Sequence, residues 1–282
     1  MRTIGRSRLL QIPQNGGVPV ELTCNQIRKS EAIQVQSYLE LANKIAEIQY
    51  LNPEYVLVFR GQAHDYRDED NLSSIRPGIF RGRDRVVGRS PIEARFSRLH
   101  RAERLLIDHW QQAPIAGNER IKKYRILRWS ILQHYEICET PLLDVTYSLR
   151  VAASFASLQD GGDGYVFALG VPNISGTITT DMEAGLQVVR LSSVCPPQAR
   201  RPHIQEGYLL GEYPDISVYT EKQNYSLFEV DFGRRLLAKF KFDKKSFWSR
   251  NTFPKISTQA LYPDKHDPFM DVSKQIKAML GD

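Results

Sequence analysis

The sequence predicts an α+β fold, because long helices crowd its first half and strands gather in its second. Apolar residues recur at helical spacing between positions 33 and 135, whereas short runs of β-forming residues bounded by turn residues dominate after position 142. Helices and strands do not alternate as βαβ units would require. With 282 residues, 41% of them hydrophobic, the chain can bury a sizeable core as one large domain or one domain with an appendage. The expected organisation is a lead-in and helix over 1–54, a core over 55–213, and a basic C-terminal extension packed on that core over 214–282.

Residues 1–30 are rich in Pro, Gly and Asn around Pro13 to Pro19, which predicts an irregular lead-in with a short strand at 18–22. A first helix follows with Ser30 as its N-cap. Ile33, Tyr38, Leu41, Ala42 and Ile45 share a face until Asn52-Pro53 ends the pattern. Residues 55–59 form a continuous apolar run typical of a buried strand and deliver Arg60 and Gly61 to its end. Residues 62–90 read as a long polar loop with one ordered stretch at 75–80. The helix over 91–113 keeps Phe96, Leu99, Ala102, Leu106, Trp110 and Ala113 on one face, with Pro91 suited to its first turn. A more buried helix covers 118–135. After Thr140-Pro141 come a strand at Leu142-Leu143, a polar corner at 144–148 and a small-residue helix over 151–156. The turn at Gly161, Gly162 and Gly164 leads into a strand over 165–171. Further strands are expected at 186–191, within 203–213, and at 227–230 and 236–242.

Lys and Arg number 38 against 32 Asp and Glu, a net charge of +6 that attracts polyanions. Much of the excess lies in Arg81, Arg83, Arg85, Arg89, Arg95, Arg98, Arg101 and Arg104 and in the stretch from Arg234 to Arg250, either as a solvated helix face or as a surface for nucleic acid. Cys24, Cys138 and Cys195 are too far apart for a zinc site and too few for a disulfide framework, so they read as structural thiols. No apolar run approaches the roughly 20 residues of a membrane span, and the start lacks a secretion signal. A cytosolic protein without membrane partners is expected. Phosphate-binding Gly loops, H-E-x-x-H and G-x-S-x-G are all missing from the sequence, and Asp68-Glu69-Asp70 reads as a solvated acidic run, so no metal is expected.

Three pieces carry a more specific signal: Phe59-Arg60-Gly61-Gln62; Gln133-His134-Tyr135 followed by Thr140 and Leu142-Leu143-Asp144; and Ala152-Ala153-Ser154-Phe155-Ala156. In this order and spacing they resemble the FRG-domain family over roughly residues 55–210. Residues 74–81 and Glu93 also sit where that family has an L-x-P-like stretch, an Arg and a Glu. Pro141, Glu136 and Val145 depart from it, standing where Arg, Gly and Trp are usual.

A strand bearing Arg-Gly, a second strand turning through hydroxyl residues into a small-residue helix, and a third strand bearing an amide or acid look like an ADP-ribosyltransferase constellation. That resemblance implies a split β-sheet core with N-terminal and inserted helices, and NAD as ADP-ribose donor. Breaking the nicotinamide bond develops positive charge on the ribose, so the site must clamp phosphates and hold a carboxylate or amide near the sugar. Arg60 suits the clamp because a guanidinium binds phosphate bidentately, with Gly61 and Gln62 beside it and Arg76 and Arg81 on the following loop. His134 and Tyr135 would offer an edge donor and a ring to nicotinamide. Thr146 or Ser148 would contact the ribose, while Asp144 would hold the corner or face the ligand. In the segment Arg201-Pro202-His203-Ile204-Gln205-Glu206-Gly207, similar to the family's R-x-x-x-Q-x-G, Gln205 is preferred by position and Glu206 by chemistry, on opposite faces of a strand. The implied activity is transfer of ADP-ribose to a macromolecule, RNA before protein, as a toxin or phage-defence effector with an inhibitory antitoxin-like partner. NAD hydrolysis and a non-catalytic nucleic-acid-binding module are the alternatives.

Overall fold

The computed structural model describes residues 1–4, 9–13, 16–82, 89–112, 118–159, 161–216, 230–248, 253–263 and 267–281. Ala113, Arg83, Arg85, Arg250 and most of the strand expected at 227–230 lie outside these residues. The chain is mixed α+β, as its sequence patterns predict.

Eight strands, numbered along the chain, form one large sheet. In spatial order they are β3 (Ile33–Gln34), β10 (Leu236–Asp243), β6 (Asp163–Val171), β4 (Val56–Gln62), β5 (Leu143–Thr146), β9 (Gly207–Glu212), β8 (Leu186–Arg190) and β7 (Ile178–Asp181). Neighbours are antiparallel except β3, which runs parallel to β10. A separate ribbon pairs β1 (Leu9–Gln11) with β2 (Val20–Leu22). The ladder is uneven. β4 pairs with β6 along all seven of its residues, from Val56 opposite Val171 to Gln62 opposite Tyr165, whereas β4 meets β5 only at Phe59 and Thr146. The sheet therefore parts into two four-stranded halves joined at a single residue pair.

Alternation along the strands feeds two cores. Val188 and Leu210 join the cluster that also holds Val58, Ala153, Phe240 and Leu41, while their neighbours Val189 and Leu209 join the one built on Phe96, Leu106, Trp129 and Leu132. Successive side chains of a strand point to opposite faces, so the sheet is covered on both. The first core takes in α1 (Cys24–Lys29), α2 (Tyr38–Leu51) and α6 (Leu149–Ala156). The second takes in α3 (Arg89–Gln112), α4 (Asn118–Lys123), α5 (Arg125–His134) and α10 (Phe269–Leu280). Short helices α7 (Leu191–Val194), α8 (Arg201–Ile204) and α9 (Thr258–Leu261) link the later elements.

Several boundaries differ from those the sequence predicts, each for a local reason. The first long helix starts at Tyr38, where the Ser37 hydroxyl accepts from the Glu40 N–H at 3.2 Å. Ile33 and Gln34 are drawn instead into pairing with Phe240 and Lys241. Ser30 ends α1, a helix opened by a capping box between Thr23 and Gln26. The helix expected over 118–135 is broken at Tyr124, which adopts extended backbone between α4 and α5. Arg60 and Gly61 lie at the C-terminal end of β4 as expected, the strand running one residue further to Gln62. β10 comes from the segment expected as a C-terminal extension, yet it runs inside the sheet between β3 and β6.

The polar loop after β4 is tied down by buried charge. Lys239 of β10, 2% exposed, donates to the Arg28 carbonyl at 2.9 Å, Asp65 at 3.0 Å and the Ser73 hydroxyl at 2.6 Å. Arg28 pairs with Asp231 at 2.9 Å and donates from Nε to the Ser73 carbonyl at 2.8 Å. Charges this deep persist only when paired and hydrogen-bonded. The loop thereby becomes part of the scaffold.

Gly61 shows how closely α6 lies on the sheet. A Cβ there would fall 1.8 Å from the Ala152 carbonyl oxygen, a backbone atom that cannot swing aside. Gly61→Ala should therefore force α6 off β4 and destabilise the protein by roughly 1–3 kcal/mol. Thermal unfolding checks this: an unchanged midpoint would contradict the packing.

Candidate functional site

Where β4 and β5 part, the gap between the two half-sheets opens into a cleft of about 190 Å³, room for one ring-sized group. It is lined by Phe59, Arg60 and Gly61 from β4, Gln133 and His134 from α5, and Asp144, Val145 and Thr146 from β5. Glu136, Phe155, Leu191, Arg201, Gln205, Gly207 and Tyr262 complete it. Six of the residues singled out in the sequence meet here: Arg60, Gly61, His134, Asp144, Thr146 and Gln205.

Arg60 is held by one short bond, from Nη1 to the Asp144 carbonyl at 2.6 Å, while its Nε has no partner among the described residues. Burial, reinforced by the charge of Arg81 and opposed by Asp144, pushes the guanidinium down to about 10, so it stays charged at neutral pH. His134, 4% exposed, turns Nδ1 toward Asp144 Oδ1 at 3.6 Å and leaves Nε2 unpartnered. Gln133 donates to Asp144 Oδ2 at 2.5 Å. Burial pushes the Asp144 carboxyl upward, but His134, Gln133 and Arg60 together outweigh it and hold Asp144 below its ordinary 3.8. The site thus holds an ionised carboxylate beside a guanidinium with a donor to spare.

The hydroxyl expected to contact a ribose is already engaged. Thr146 donates to the Gln205 carbonyl at 2.7 Å and accepts from the Ser148 N–H at 3.0 Å, which fixes the corner between β5 and α6. Ser148 is the N-cap of α6, makes no side-chain cap bond and does not line the cleft. Gln205 and Glu206 are not on a strand. They occupy the turn between α8 and β9, with Glu206 at φ 44, and the strand begins only at Gly207. Gln205 reaches the cleft and donates to the Leu261 carbonyl at 2.8 Å, whereas Glu206 lies outside the lining.

The remaining sequence candidates stand back from the cleft. Tyr135 is buried, its hydroxyl donating to Asp267 at 2.9 Å, so it anchors the chain before α10 instead of offering a ring. Burial, with Cys195 and Asp267 adding to it, pushes its phenol far above the ordinary range. Arg76 lies 3.9 Å from Asp231, in the charge cluster that pins the loop. Arg81 donates to the Arg76 carbonyl at 3.0 Å and is exposed. Gln62, at the end of β4, does not reach the lining.

Arg201, Glu136 and Tyr262 belong to the site and were not singled out for it in the sequence. Arg201, 3% exposed, donates from Nη2 to Glu136 Oε1 at 2.6 Å and lies 4.5 Å from the centre of the Tyr262 ring. Glu136 has φ 53, the left-handed region that favours glycine. The family pattern, with Gly at position 136 and Arg at position 201, was the available signal. Nothing local in the sequence links 136, 201 and 262.

Because Asp144 is held ionised, its stabilising contribution is complete above the carboxyl's unfolded value near 3.8 and is lost as pH falls through the lower folded value. Stability measured between pH 6 and pH 2 should fall less steeply below pH 4 for Asp144→Asn than for the native protein. Identical slopes would mean that the carboxylate is not held this way.

The FRG domain family model matches residues 56–161. No curated protein and no solved structure matches the chain. The matched segment supplies the lining from Phe59 to Phe155, and Leu191, Arg201, Gln205, Gly207 and Tyr262 come from the residues that follow it.

Proposed function

We propose, from the premise that residues 56–161 form an FRG domain, that the chain is an NAD-dependent ADP-ribosyltransferase whose cleft between β4 and β5 binds the donor. The observation that carries this reading is Arg60, a charged, largely desolvated guanidinium with an unpartnered Nε in a cleft that also holds an ionised carboxylate. The parting of the sheet at Phe59 and Thr146 agrees with the split core that the resemblance implies.

In this reading Arg60 binds a phosphate oxygen of the donor, and the narrow cleft takes the nicotinamide end while the rest of the dinucleotide extends outward. The bond between nicotinamide nitrogen and ribose C1′ breaks, nicotinamide leaves with the electron pair, and positive charge develops on the ribose. Asp144 is the carboxylate placed to stabilise that charge, a role that Glu206 is not placed to take. An acceptor hydroxyl or amine then bonds to C1′ and gives up its proton. The net charge of +6 and the exposed ring of Tyr66 favour a single-stranded RNA acceptor over protein. A transferase of this kind would act as a toxin or phage-defence effector held in check by an inhibitory protein.

Incubation with radiolabelled NAD and cell lysate, then separate nuclease and protease digestion, tests the reading. Label should appear on a macromolecule and be released by nuclease. Arg60→Ala, confirmed as folded by circular dichroism, should lower both labelling and nicotinamide release by about a hundredfold. Nicotinamide release without labelling would assign NAD hydrolysis instead. Salt-sensitive RNA binding that needs no NAD and survives Arg60→Ala would make the chain a binding module.

A further inference from the structure

We propose that Arg201 is a second phosphate-binding group of the cleft and that the Glu136 carboxylate is its built-in competitor, displaced when a substrate phosphate enters. The inference rests on the donor-binding role proposed above, and it adds a residue pair, a ligand class and a means of restraint to that role.

Arg201 comes from α8, outside the segment that matches the family model. Its guanidinium lies near two rings, 4.5 Å from the centre of Tyr262 and 5.9 Å from that of Tyr135. The side chain is 4% exposed, and its Nε has no partner. A buried guanidinium with a free N–H beside an exchangeable carboxylate is prepared for a two-oxygen anion. Arg60 Nε and His134 Nε2, also unpartnered, line the same cleft. The free N–H groups of Arg60 and Arg201 thus line one space.

Glu136 has the marks of a placeholder. Its side chain is 63% exposed, so the carboxylate can leave for water at little cost, yet it donates no fixed structure beyond accepting from Arg201 Nη2 at 2.6 Å. Its backbone sits at φ 53, immediately after α5, where a residue with a Cβ is strained. In the closed arrangement two guanidiniums, Arg60 and Arg201, face two carboxylates, Asp144 and Glu136, and the lining is balanced. Release of Glu136 leaves one positive charge in excess. One phosphate oxyanion, here of the pyrophosphate of a dinucleotide, carries the single negative charge that matches that excess and offers the guanidinium two oxygens.

Isothermal titration of the full chain with inorganic pyrophosphate, alongside NAD, tests the inference. Glu136→Ala should tighten pyrophosphate binding by about three- to tenfold, and Arg201→Lys, which keeps the charge but loses the fork, should weaken it by about tenfold. Because Arg201 is buried, its variant is read only if its unfolding midpoint is native-like; Glu136 is exposed, and its variant decides the matter alone. Pyrophosphate affinity unchanged or weakened in Glu136→Ala, or no binding to either protein, overturns the inference. The two proposals fail separately. NAD consumed by a chain whose pyrophosphate affinity ignores Glu136 sinks only the placeholder, whereas pyrophosphate tightened in Glu136→Ala with NAD neither bound nor consumed sinks only the NAD reading.

Discussion

The cleft depends on the convergence of donors at Asp144. Its carbonyl takes Arg60 from β4, and its carboxylate takes Gln133 and faces His134, both from α5. The same chain of bonds runs backward through the connecting segment. The Leu142 N–H donates to the Thr140 hydroxyl, and that hydroxyl donates to Gln133 Oε1. Each group in the series has one role fixed by the next, so the amide of Gln133 can point only one way. Arg60 is thereby locked to a stretch 84 residues further along, and the motif residues of both make physical sense as a single hydrogen-bonded unit.

Buried cations elsewhere in the fold are treated differently. Lys239 spends its donors on a carbonyl, a carboxylate and a hydroxyl, and in doing so fastens the loop after β4 to α1 and β10. That arrangement repays desolvation within the protein. Arg60 and Arg201 repay only part of theirs, since each keeps an Nε without a partner on the wall of the cleft. Arg28 in the scaffold also keeps an unpartnered Nη1, so what sets Arg60 and Arg201 apart is that both line the cleft.

Much of this was legible along the sequence. The apolar stripe of α3, the continuous apolar run of β6 and the strand that carries Arg60 have local patterns that tertiary contacts left intact. Other elements were decided from a distance. Ile33 and Gln34 fit a helical stripe until pairing with β10 takes them, and Tyr135 looks like a ligand-facing aromatic until Asp267 claims its hydroxyl. α10 buries Phe269, Ser273, Ile276 and Leu280 at helical spacing, a signal present in the sequence but passed over in a stretch rich in charge and proline. The grouping of Glu136, Arg201 and Tyr262 had no comparable local trace, because these residues come together only in the folded chain.

The register of the sheet bears on how such a domain can be moved or cut. The matched segment, 56–161, contains β4 and β5, and the strands that flank this pair, β9 beside β5 and β6 beside β4, both lie beyond it. Excised at those borders, it would present two raw edges of unpaired amides and carbonyls, the template on which chains add to one another and aggregate. Inheritance or grafting of the motif therefore has to carry later strands along with it, and the smallest portable unit is defined by ladder closure instead of by the span of recognisable residues.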